Sequence, residues 1–147
     1  MTQTARRAKP SGPLVVFKTG DFGARLFAEF FGPSSAALVR AFALEAPPLK
    51  GGRMIVTEVW RKPRRTGDAH YDLRAVDVRT GVEDTRLVGS ILGSTRASRY
   101  EKAETWAARV AKRLGSEYDV VFGEAVRHVD HIHGEHDSRK RRRTFVA

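Results

Sequence analysis

Apolar positions along this chain follow two periods, and each predicts a different kind of element. Between residues 22 and 45 they recur at helical spacing. Leu26, Phe27, Phe30 and Phe31 form one candidate face, and Leu38, Val39, Phe42 and Leu44 form a second. Gly32-Pro33 breaks the run, so two helices are predicted, the second capped by Ser34 or Ser35. A third helix is predicted over 99–114. Ser98 and Glu101 have capping-box spacing, Trp106, Val110 and Leu114 recur every fourth residue, and Gly115 follows as a stop. β-Branched and aromatic residues mark strands over 54–60, 73–79, 118–122 and 129–134, the second ending at the turn Thr80-Gly81. Strands without regular helical crossovers, with helices grouped elsewhere, predict an α+β domain on a small antiparallel sheet with the helices packed on one side.

With 147 residues, the chain has the length of about one domain. Residues 1–13 read as a flexible basic arm, 14–137 as a single domain and 138–147 as a basic tail. Leu14-Val15-Val16-Phe17 is too short an apolar run for the core of an export signal, and no stretch has the length of a membrane-spanning helix. The chain has no cysteine, which excludes disulfide scaffolds, zinc ribbons and thiol catalysis. Its net charge of +10 invites a nucleic-acid reading. The excess, however, lies in Arg6, Arg7, Lys9 and Arg139 to Arg143; without these eight, 19 basic residues face 17 acidic ones. Such tails suit anionic wall polymers or lipid as well as nucleic acid.

The chemistry concentrates in the histidines. His128, His131, His133 and His136 fall within nine residues, and His70 stands apart. A histidine tract by itself is as well explained by a solvated face or adventitious metal binding. His70 and Asp77 add a second, separate pair. Seven residues apart on one straight strand they would point to opposite faces, so they converge only if His70 lies on a loop that folds back. Asp77, between Val76 and Val78, needs a partner: a bound cation, or Arg74 or Arg79. On the downstream strand His131 and His133 share a face. Either one, added to His70 and Asp77, gives two nitrogens and one oxygen, the donor set of a catalytic zinc site with an open position. Other first-row metals suit the same donors.

His70-x-x-x-x-Ala75-x-Asp77 followed by Asp130-His131-Ile132-His133 resembles the zinc D-alanyl-D-alanine carboxypeptidase and phage endolysin peptidase family. His70-Tyr71, Arg74 to Thr80 and Tyr118-Asp119-Val120-Val121 extend the likeness over about residues 54–136. The resemblance implies a hedgehog-like α+β fold with Zn2+ on the sheet face, held by His70, Asp77 and His133. It implies Asp130 as general base, Arg61 as the group gripping a substrate carboxylate or carbonyl, and His128 and His131 as groups that orient substrate or stabilise the tetrahedral intermediate. The implied activity is hydrolysis of an amide bond in a peptidoglycan stem peptide, reached through holins or within a virion.

The chain departs from the family pattern at Leu73, where glycine is usual, and at Asp68, where serine is usual. Strand parity puts Asp130 on the face opposite His133 unless a bulge intervenes, and Glu124 and Glu135 then compete as base. A catalytically inactive relative, serving as a structural or virion protein, is the alternative expectation. Val129-Asp130-His131-Ile132 also resembles the opening of an HNH nuclease. That fold needs a later asparagine or histidine on a helix, whereas this chain has no asparagine and only 16 residues after His131. Nucleic acid is therefore not the expected partner.

Overall fold

The computed structural model describes residues 12–30, 32–60, 69–70, 74–84 and 86–137. Within them the chain forms β1 (Leu14–Phe17), α1 (Asp21–Phe30), α2 (Pro33–Glu45), β2 (Arg53–Glu58), β3 (Ala75–Arg79), α3 (Arg96–Leu114), β4 (Tyr118–Gly123) and β5 (His128–His136). The five strands make one sheet in the order β1-β2-β3-β5-β4.

The fold is α+β, but the sheet is mixed rather than antiparallel. β1 runs parallel to β2, with Leu14 opposite Arg53 and Phe17 opposite Val56, while every other neighbouring pair is antiparallel. Parallel neighbours need a long crossover, and α1 and α2 together supply it. The run Leu14–Phe17, too short for an export signal, is thus an edge strand.

The break at Gly32-Pro33 forms as predicted, with a different cap. Gly32 is the N-cap and Pro33 occupies the first turn, where its missing N–H costs nothing; Ser35 is buried inside the helix. α3 begins three residues before its predicted start because Thr95, not Ser98, caps it, accepting from the Ser98 N–H at 3.1 Å. The extra turn seats Arg99, whose guanidinium donates to the carbonyls of Val82 and Gly93. At the other end Gly115 takes a positive φ of 84° and its N–H donates to Ala111.

α2 and α3 cover one face of the sheet. Leu38 and Phe42 of α2, and Trp106, Ala107 and Val110 of α3, meet Val56, Val76, Val78, Val120, Phe122 and Ile132. Leu44, expected on the buried face of α2, is exposed. The side chains of Leu26 and Phe30, and all of Phe31, lie outside the described residues; Phe27 stacks on Phe17 at 5.5 Å. Gly134 sets the closeness of α2 to β5: a Cβ there would come within 2.9 Å of Leu38 and Phe42. No helix among the described residues is long and apolar enough to cross a membrane.

Candidate metal centre

Strand periodicity builds the site on the face opposite α2 and α3. In the β3–β5 register Val76 faces Gly134 and Val78 faces Ile132, all towards the helices. The alternate pairs are Ala75 with Glu135, Asp77 with His133 and Arg79 with His131, so Asp77 and His133 stand side by side on the opposite face. His70 arrives from outside the strand. The Arg74 N–H donates to the Ala69 carbonyl at 2.9 Å, turning the chain back before β3, and the imidazole, 1% exposed, comes to Asp77.

The three side chains meet on one oxygen. Asp77 Oδ1 lies 2.8 Å from His133 Nδ1 and 3.2 Å from His70 Nε2, so imidazoles, not Arg74 or Arg79, are its partners here. Burial works against the charge on Asp77, but the hydrogen bonds and charge of His133 and His70 outweigh it and hold the carboxyl well below the usual carboxylate range. Burial likewise disfavours the His133 imidazolium, yet its hydrogen bonds to Asp77 and Glu135 raise it to about 9.

This group could hold a metal ion. One donor atom from each of His70, Asp77 and His133 lies within 4.8 Å of the other two. Four-coordinate zinc at about 2.0–2.1 Å from each ligand places ligand atoms roughly 3.3 Å apart, close to the separations from Asp77. Two imidazoles and one carboxylate leave a fourth position open, and a metal ion entering the group replaces the proton on His133. The donor chemistry admits zinc and other first-row metals alike.

The remaining candidates border the group. His131 Nε2 lies 3.7 Å from Asp77 Oδ2, and its Nδ1 lies 2.7 Å from Asp130 Oδ1. Asp130 departs from ideal parity. The β4–β5 register slips between Val121 and Gly123, and the Asp130 carboxylate, 79% exposed, reaches the His131 ring while its carbonyl accepts from the Thr80 N–H. His128 stacks on His131 at 4.6 Å and lies edge-on to His133 at 5.8 Å. Burial, then the nearby His131 and His133, push its imidazole below its ordinary value against the pull of Asp77 and Asp130. Glu124 is engaged elsewhere, 2.6 Å from Arg96 at the start of α3. Arg61, Asp68 and Leu73 lie outside the described residues, as do residues 1–11 of the arm and 138–147 of the tail.

Against models of protein families, curated proteins and solved structures, the chain finds no match.

Glu135 has a part that the sequence reading did not give it. Its carboxylate lies 3.1 Å from His133 Nε2, the nitrogen turned away from Asp77. A carboxylate on the outer nitrogen fixes the ring's tautomer and orientation so that Nδ1 is free for a metal. The signal was available, because residues two apart on a strand share a face. Glu135→Ala is expected to weaken metal binding by roughly 10- to 100-fold. Glu135→Gln, which still accepts from the ring, is expected to retain most of the affinity. Competition titration against a chromogenic chelator measures both, and equal affinity in the alanine variant and the wild type would remove the role.

Proposed function

We propose that this protein hydrolyses an amide bond in peptidoglycan stem peptides, as a D,D-carboxypeptidase or an endolysin-type endopeptidase, with one zinc held by His70, Asp77 and His133. The observation that carries the reading is the meeting of those three side chains beside Asp130 and His131. The two spaced motifs that resemble the peptidase family support it. Zinc, when bound, supplies a Lewis acid for the scissile carbonyl and makes water a competent nucleophile near neutral pH.

Within this reading the protein's own groups divide the proton work. Asp130 takes the proton of the attacking water and returns it to the leaving amine, the two-way use of one general base. His131, hydrogen-bonded to Asp130 through Nδ1, presents Nε2 beside Asp77, where it donates to the oxyanion that develops on the carbonyl. His128, stacked on His131, holds that ring in place. Glu135 keeps His133 aligned.

Elemental analysis of the purified protein, run beside digestion of purified peptidoglycan, tests the proposal. One zinc per chain with release of new amino termini or free D-alanine is the expected result. Zinc without cleavage would instead support a structural or virion relative that keeps the metal for stability. Absence of stoichiometric metal after preparation without chelator would sink the reading.

A further inference from the structure

Beside the three-residue group, and sharing Asp77 with it, a second set of cation donors gathers on the same sheet face. A bulge in β2 begins it. Val56 lies opposite Val78 and Glu58 opposite Asp77, so β2 has one residue more than β3 over this step. Val56 and Val78 both belong to the core under the helices, and in a regular strand Glu58, two residues on, would point there too. The bulge turns it instead to the face of Asp77. Both acids line a cleft of about 430 Å³, together with Lys18, Asp130 and His131.

The charges around this cleft favour a cation. Glu58, Asp77 and Asp130 supply three carboxylates, and Lys18 supplies one ammonium. Carboxylates directly opposite on neighbouring strands repel one another, and a cation between them relieves the repulsion. Asp77, only 4% exposed, also has an oxygen to spare. Its Oδ1 takes both imidazoles of the first group, whereas its Oδ2 accepts no hydrogen bond among the described residues. His131 Nε2 lies 3.7 Å from Oδ2, too far for a hydrogen bond. Two ligands of one first-row ion stand roughly 3.4–3.7 Å apart at angles of about 110–125°. His131 is oriented for that part. Asp130 Oδ1 lies 2.7 Å from Nδ1 and accepts from it, which leaves the lone pair on Nε2, the nitrogen beside Asp77. Glu135 orients His133 in the same way from its Nε2 side.

We propose that Asp77 Oδ2 and His131 Nε2 hold a second divalent first-row ion, bridged to the first by the Asp77 carboxylate. Asp130 positions His131 for it, and Glu58 adds negative charge. Two protein donors instead of three, and repulsion from the first ion, make this the weaker site, filled only when metal is in excess. One imidazole among carboxylates suits zinc and manganese alike, and zinc is the probe for the test. An ion at Nε2 occupies the atom that the hydrolase reading uses as a donor, so filling the site is expected to stop turnover. That consequence rests on the hydrolase reading, whereas the binding itself does not.

Equilibrium dialysis of the protein against rising free zinc, followed by elemental analysis, reads the two sites separately. The wild type is expected to take up one ion and then a second, with hydrolysis of peptidoglycan falling as the second enters. His131→Ala is expected to keep the first ion and to weaken the second by more than about 100-fold, since it removes a ligand rather than an outer partner. Asp130→Ala, at a position 79% exposed, is expected to keep the first and to weaken the second by roughly 10- to 100-fold. One ion per chain at every zinc concentration, or a second ion bound equally by the wild type and either variant, would overturn the site. Turnover unchanged as the second ion enters would overturn its inhibitory role. Two-step binding that depends on His131, without hydrolysis at any zinc concentration, would uphold the site while removing the hydrolase reading.

Discussion

Replacing His133 with alanine is expected to abolish stoichiometric metal binding and, with it, release of amino termini from peptidoglycan. The residue is engaged on both sides, by Asp77 at Nδ1 and by Glu135 at Nε2, and it supplies one of two nitrogens in a three-atom donor set. Two donors remain in the variant, and both acids lose the imidazole between them. The loss of metal affinity is therefore expected to exceed the roughly 10- to 100-fold tied to an outer partner. Removing one member of a buried charged pair also costs about 3–5 kcal/mol, so the far-UV spectrum and unfolding curve accompany the metal measurement. His131→Ala gives the contrast. It is expected to keep the zinc, since His131 lies outside the three-residue group, and to lose turnover. A His133→Ala protein that is folded and still carries one zinc would relocate the site.

The second large effect lies on the other face of the sheet. Trp106→Ala is expected to destabilise the protein by about 3–5 kcal/mol in urea unfolding, the range for removing a large aromatic from a core. Trp106 is 1% exposed, meets Phe42 edge to face at 5.9 Å, and donates its indole N–H to the Phe42 carbonyl at 3.0 Å. Alanine leaves both a cavity and a buried carbonyl without its donor. Trp106→Phe separates the two, keeping most of the ring contact and losing the donor, with an expected cost of about 1–3 kcal/mol. Against a typical total of about 5–15 kcal/mol, the alanine variant gives up a large share. A cost below about 1 kcal/mol would be at odds with a core centred on the α2–α3 contact.

How much of this was legible in the sequence depended on the distance over which each feature is set. The helix break at Gly32-Pro33, the turn after β3 and the stop at Gly115 are local, and each stands where the sequence puts it. The meeting of His70 with Asp77 is also local, but strand parity made it conditional on a loop that folds back, and the sequence left Arg74 and Arg79 as other partners for Asp77. Strand parity offered His131 or His133 equally, and only the resemblance of the two spaced motifs favoured His133 as the partner of Asp77, because strand register is a tertiary property. β1 was missed for the same reason: four residues carry little pattern, and their partner lies beyond two helices. The cap of α3 was misplaced because Thr95 and Ser98 are both good caps, and the burial of Arg99 favours the earlier one. Leu44 fits the helical period but lies exposed near the end of α2, where the period no longer tracks the core.

The strand order has a consequence for how the protein is made. β5 lies between β3 and β4, so β4 leaves the ribosome before the strand that joins it to the sheet exists. Until residues 128–136 emerge, Asp77 has His70 but not His133, and both β3 and β4 present an open edge. Unpaired edges are where nascent chains stick to one another. One late strand then closes the sheet and completes the donor set in the same step. The strand that removes the open edges is therefore the one that creates the centre, and a chain stalled before His133 holds a scaffold without the third ligand.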